Sequence, residues 1–221
     1  MGPGKICIAG LEVTSRAPIR PIAAGGLPTT LLSVEGGVFA LGNVVDLGPA
    51  MDVGSAPEVE DRLVDLANLA AVGRLEAREF WRLLTETGET NLTNIFGPDL
   101  QARGHERFVN RHQGTASLGH LAPAEPPEVY VSDWDKVRVV LPGEGGADLS
   151  LTDRRFVEPN HKTPRYERVE AAREFLQGSR KPVLSVGLAR AWEKPGDTQE
   201  RHYLQVNNIH FEQDPLWERR G

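Results

Sequence analysis

Basic side chains interleaved with aromatic rings recur along the chain, and recognition of a nucleic-acid strand is the chemistry they suit best. In ARGHERFVNRH, residues 102–112, Arg103, Arg107 and Arg111 stand around Phe108, with His105 and His112 alongside. Such a pattern fits a single strand, whose bases stack on a ring while cations follow its phosphates. The competing role is a solvated loop with Phe108 tucked into the core. In NHKTPRYER, residues 160–168, Lys162, Arg165, Tyr166 and Arg168 can join Arg190 and Arg201 as a second basic surface. Here the competing role is a charged approach to a helix, its cations offsetting Glu167 and Glu170. Arg20 lies between Pro18 and Pro21 in PIRPI. A guanidinium held that stiffly can take a phosphate through two hydrogen bonds, or can pair with Glu12 or Asp46. On the last strand-like run Tyr203, Gln205 and Asn207 share one face, since alternate strand residues do, and that face is polar enough to contact a base or sugar.

Catalytic sets are scarcer. Asp133 and Asp135 in SDWDK, with Lys136 adjacent and Asp153 as third member, are the carboxylates that a metal-dependent nuclease could use. Turn formation around Trp134 explains the first two more simply. His105 and His112 have no acidic or thiol partner at a familiar ligand spacing. GEGGAD, residues 143–148, leads from one strand to another, so no helix N-terminus faces a phosphate there. Serines and histidines are too scattered for a hydrolytic triad. The expectation is a noncatalytic protein without metal or cofactor. Cys7, between Ile6 and Ile8, is the only cysteine; it forms no disulfide framework and is expected as a buried strand thiol.

Charge limits the mode of binding. The net charge is −6, and residues 1–125 carry 10 basic against 15 acidic side chains. Residues 154–201 carry 11 basic against 7 acidic, a local excess of cations. A protein gripping many duplex phosphates normally has a stronger basic excess, so any nucleic-acid contact is expected to be local. No apolar run approaches the roughly 20 residues that span a bilayer, and the N-terminus lacks the pattern of a leader, so no membrane contact and a cytoplasmic location are expected.

The elements that must position these residues read as mainly β. In the second half, residues 129–132, 136–141 and 147–153 alternate apolar and polar side chains, as half-buried strands do. A helix over residues 166–178 follows, with Val169, Ala172, Phe175 and Leu176 on one face and Gly178 as its stop. Residues 183–192 and 202–211 then form a hairpin around EKPGDTQER, whose Pro195, Gly196 and Asp197 are turn formers. The pair Asn207-Asn208 is a place for a bulge. Strand, strand, strand, helix, strand, strand is the order of an OB-type barrel, whose loops and open face bind oligonucleotides or sugars.

The first half is expected to begin with a strand over residues 5–13 and an edge strand at 18–22, followed by short strands within 38–47 broken at Gly42 and Asn43. SAPE, with Ser55 and Glu58, reads as a capping box and predicts a helix through Ala70; a second helix is predicted over residues 75–87, capped by Gly88. Residues 91–127 lose regularity and read as a long loop ending in a Pro-rich linker. The domain organisation expected is a first OB-like barrel with helical insert and long loop over residues 1–126, and a second OB-like barrel over 127–221.

CIAG at residues 7–10, IRPI at 19–22, the helical insert, LSLTD at 149–153 and SVGLARAW at 185–192 together resemble the dual OB-containing domain family of prokaryotes. The resemblance covers roughly residues 5–211. It implies two tandem OB-like barrels that bind nucleic acid within defence or conflict systems, and it carries no catalytic set. The expected ligand is a single-stranded nucleic acid or nucleotide. A protein-interaction adaptor for a partner encoded in the same operon, and a metal-dependent nuclease, are the alternatives.

Overall fold

The computed structural model describes residues 4–160, 162–178 and 181–215; His161, within the second basic segment, lies outside them. The fold is mainly β, with 18 strands and three α-helices among the described residues, as expected for OB-like barrels, and no closed barrel forms.

The second half has the expected order. Strands Glu128–Val131, Val137–Leu141 and Ala147–Leu151 make an antiparallel meander, helix Tyr166–Gln177 follows, and strands Pro182–Leu188 and Glu200–Phe211 close the unit. Their alternation matches burial: Val137, Val139 and Leu141 point into the core while Arg138 and Val140 are half-buried. The last strand is central. It pairs antiparallel with Pro182–Leu188 and parallel with Ala147–Leu151, Ser150 opposite Gln205. The helix contributes Val169, Ala172 and Leu176 to the core, and Phe175 stacks on Phe211 with ring centres 4.8 Å apart. The bulge falls where two asparagines stand. Ser185 lies opposite Asn208 but Val186 opposite Val206, so Asn207 is the extra residue.

Residues 91–127 are more regular than their composition suggests. They contain helix Leu92–Phe96, the hairpin Gln101–Arg103 with Glu106–Asn110, and strand Leu118–Leu121. These strands hydrogen-bond to the second-half sheet, Phe108 opposite Tyr203 and His120 opposite Ser185. Sheet pairing therefore runs across residues 126 and 127. The signal was weak because each piece is short and owes its conformation to a distant partner.

The first half departs most from expectation. No helix forms over residues 55–70; the segment runs extended as strand Asp61–Leu63, a 3-10 turn Leu66–Asn68 and strand Ala70–Arg74. Neighbouring residues Glu60 and Asp61 are both buried. An extended chain sends successive side chains to opposite sides, so each reaches a different set of distant donors, which outweighs a local capping box. The second helix is real, Ala77–Glu86, and Thr87 caps it. Gly88 follows where the chain passes close to Leu84 O and Ala122, and a Cβ there would lie 3.1 Å and 3.3 Å from them.

Strand Pro18–Ile22 is not an edge. It lies between Gly10–Leu11 and Asp61–Leu63. Its prolines are tolerated because Arg20 N donates to Glu60 O and Ile22 O accepts from Val64 N, so the parallel pairing does not call on Pro21. The opening run makes two short strands, Lys5–Ile6 and Gly10–Leu11, and Cys7 between them is exposed, not buried as expected. One strand, Asn43–Asp46, occupies the 38–47 region. The contiguous core is built from residues 92–211; before Leu92, the larger apolar side chains buried among the described residues are Ile6, Leu27, Phe39, Val64 and Leu84.

Candidate nucleic-acid interface

One corner of the second half gathers exposed rings and cations. Strands Glu128–Val131 and Val137–Leu141 are joined by residues 132–136, with Val131 opposite Val137. Ser132 N donates to Lys136 O at 2.9 Å and Asp135 N to Ser132 O at 3.0 Å, which closes the turn. Asp135 takes the left-handed conformation, φ 52°, which aspartate tolerates better than most residues. Trp134 is left at the tip, 84% exposed.

The loop after Ala147–Leu151 delivers the other residues. Asp153 accepts from Arg155 N at 2.9 Å and starts the turn Arg154–Phe156. Asn160 Oδ1 then accepts from Lys162 N and Thr163 N, and Arg165 N donates back to Phe156 O at 2.8 Å. This folded loop makes Arg165 the residue before the helix and Tyr166 its first. The Tyr166 hydroxyl donates to Asp135 Oδ1 at 3.1 Å, and that carboxylate raises the phenol pKa. Tyr166 is 54% exposed. Lys136 and Lys162 are exposed, and no carboxylate pairs with either among the described residues. Arg165 is engaged by Glu167 at 2.8 Å and Glu158 at 4.0 Å.

Arg107, Phe108 and Tyr203 meet elsewhere, at the start of strand Glu200–Phe211. The parallel pairing with Ala147–Leu151 puts the 153–165 loop at the opposite end of that strand. Phe108 is buried, with the Arg201 guanidinium 4.6 Å from its ring centre. Arg107 donates to the backbone carbonyls of Gly104, Glu106 and Glu144, strapping its hairpin to the 142–146 turn. The Tyr203 hydroxyl donates to Asp197 at 2.5 Å, and Arg103 reaches the other oxygen of that carboxylate. Arg103 first, then Tyr203, holds the Asp197 carboxyl well below the usual carboxylate range. Lys194 pairs with Glu106, and Trp192, 45% exposed, packs 5.7 Å from Tyr203. The cations at this end are taken up by Glu106, Asp197 and backbone carbonyls, and the cluster staples the 189–199 turn to the 101–110 hairpin.

Arg20 and Arg190 converge on a third place. Arg20, 3% exposed, donates through Nε to Asp61 Oδ1 at 2.5 Å, and not to Glu12 or Asp46. Arg190 Nη2 donates to Asp61 Oδ2 at 2.8 Å while Nη1 reaches Glu58 at 3.0 Å. The Arg190 bonds tie the second half to the first, and bonds from Ser117 and Leu118 to Glu60 hold strand Leu118–Leu121 beside the same segment. Gln205 stands apart, half-buried on the sheet between Gly187 and Ser150.

The structure therefore brings Lys162, Arg165 and Tyr166 together, and adds Trp134 and Lys136, which were not singled out. A Trp flanked by turn-forming aspartates between two alternating strands was the available signal, because a hairpin tip leaves a large ring nothing to pack against. Asp135 and Asp153 do not act together: the first holds Tyr166, and the second is buried against Arg155. No group of three or more His, Cys, Asp or Glu that could hold a metal ion occurs among the described residues. Nor is any helix among them long and apolar enough to cross a membrane.

No curated protein and no solved structure matches the chain significantly. A family model does, over residues 1–209, and together with the OB element order of the second half it places the chain in the dual OB-containing domain family.

Proposed function

We propose that this protein is a noncatalytic recognition protein that holds a single-stranded nucleic acid on the corner formed by Trp134, Lys136, Lys162, Arg165 and Tyr166. The observation that carries the reading is the pair of exposed rings bridged by Asp135 beside two lysines without carboxylate partners. Rings of this kind stack bases of any sequence, and cations beside them follow the backbone. The turn holding Trp134 joins the first and second strands of the OB unit, one of the loops through which OB barrels bind oligonucleotides. With a net charge of −6, the contact is short and involves few phosphates. The setting that fits the family resemblance is a cytoplasmic prokaryotic defence or conflict system.

Fluorescence polarisation of labelled single-stranded DNA and RNA at low salt tests this. Binding is expected to weaken as salt rises and to fall about tenfold or more with Trp134→Ala, in line with about 1–3 kcal/mol per stacked base. Lys162→Ala is expected to flatten the salt dependence. Absence of any shift across the panel overturns the proposal, and cleavage of the strand in magnesium overturns its noncatalytic part.

A second reading has its own observation. Val13, Val34, Met51, Val53, Val59 and Val72 are exposed, all in the first half, and every residue of strand Ala70–Arg74 faces solvent. Exposed apolar side chains in this number suit an adaptor that docks an operon-encoded protein. A stable complex that copurifies and is lost on Val72→Glu supports it.

A further inference from the structure

A cleft of ≈360 Å³ is lined by residues between Ala17 and His120, none of them in the Trp134 corner. Its walls are fixed by Glu60, 5% exposed, whose carboxylate accepts from Ser117 N and Ser117 Oγ at 2.7 Å and from Leu118 N at 3.2 Å. Pro18, Val59, Ile95 and Leu118 are among its lining side chains and give it an apolar surface for a ring.

The polar groups around the cleft are specific. The Thr87 hydroxyl donates to Leu83 O at 2.9 Å, so towards His120 Nδ1, 3.0 Å away, it can only accept. With the hydroxyl proton held on Leu83 O, Nδ1 is the protonated nitrogen and Nε2 keeps its lone pair. Burial pushes the His120 pKa down to about 4, so the ring is neutral at pH 7. Nε2 has no protein partner among the described residues and is not sealed from solvent, and His120 lines the cleft. Glu89 uses one carboxylate oxygen to accept from Asn94 at 3.1 Å and leaves the other open. Arg62 uses Nη1 on Asp52, Val59 O and Asp61 O, which leaves Nη2 and Nε as donors.

From this arrangement we propose that the cleft binds a nucleobase, its ring on the apolar surface, its N–H groups donated to His120 Nε2 and Glu89, and a ring carbonyl accepting from Arg62. The size falls within the range of about 300–1,000 Å³ typical of small-molecule sites. Glu60 and Glu89 bring two negative charges to the lining against one positive charge from Arg62, which disfavours a phosphate or carboxylate there. A free nucleoside and a base turned out of a strand present the same chemistry. The site shares no residue with the Trp134 corner, so it stands or falls independently of strand binding there.

The test uses the full-length protein labelled with ¹⁵N, reading the His120 imidazole nitrogens while guanosine, adenosine, cytidine or uridine is added to millimolar concentration, and then a short single strand of each base. A saturable shift of the His120 Nε2 signal is expected with at least one base. Glu89→Gln, at an exposed position where the amide fits without repacking, is expected to weaken it about tenfold, the loss of one hydrogen bond to a charged acceptor. Trp134→Ala is expected to leave it unchanged, whatever that variant does to strand binding. A response to nucleosides identifies the free ligand, and a response to strands alone identifies a flipped base. No response at His120 to either, or a response that Glu89→Gln does not weaken, overturns the proposal.

Discussion

Asp61→Ala is expected to be one of the most damaging single changes in the first half, although it removes only a few atoms. The Arg20 and Asp61 side chains are 4% and 7% exposed and meet at 2.5 Å. Removing the carboxylate leaves a buried guanidinium without its counter-charge, a change that typically costs about 3–5 kcal/mol. Arg20 has no slack to absorb it, since its Nη2 is already buried without a partner. Arg190 shares the same carboxylate, but its side chain is 57% exposed and retains Glu58 at 3.0 Å. Arg190→Ala is therefore expected to cost only about 0–1 kcal/mol, as exposed pairs do. Replacing both buried partners, Arg20→Met with Asp61→Leu, removes the desolvation cost together with the attraction and is expected to recover most of the loss. Urea denaturation followed by circular dichroism measures all four proteins. A loss below about 1 kcal/mol for Asp61→Ala, or a double variant no more stable than the single one, refutes the reasoning that burial governs this pair.

Acid is expected to weaken the fold through two histidines. Burial lowers the pKa of His120 to about 4 and of His210 to about 3, below their unfolded value near 6.5, so both are stabilising only while neutral. Their stability is complete above pH 6.5 and falls as the pH drops towards 4, where His120 alone accounts for about 3 kcal/mol; urea midpoints at pH 7 and pH 4 read this, and His120→Gln should reduce the difference. Phe156→Ala, at a fully buried position, is expected to cost about 3–5 kcal/mol in the same assay. Gly54→Ala is expected to destabilise by at least about 1–3 kcal/mol, since its Cβ would lie 2.3 Å from Val59 O, a backbone atom that cannot rotate aside.

Much of the second half is determined by its sequence alone. Alternation in VRVVL and ADLSL, the apolar face of the 166–177 helix and the PGD turn are local patterns, and each element obeys its own pattern in the structure. Even the shared face of Tyr203 and Gln205 follows from period-two geometry, and the Asn207-Asn208 pair marked where the bulge interrupts it. Tertiary structure decided what local pattern does not encode. SAPE was a sound helix signal, but Glu60 and Asp61 find their donors at Ser117, Leu118, Arg20 and Arg190, up to 129 residues away. The candidate sites divide in the same way. Basic and aromatic composition pointed to Lys162, Arg165 and Tyr166, yet only the folded chain separates Lys162 from Arg165, Arg20, Arg107 and Arg190, which are committed to Glu167, Asp61, Glu58 or backbone carbonyls. A side chain's type states which bonds it can make; whether those bonds are left for a ligand depends on which carboxylates and carbonyls the fold brings within about 3 Å, and that is a property of long-range packing.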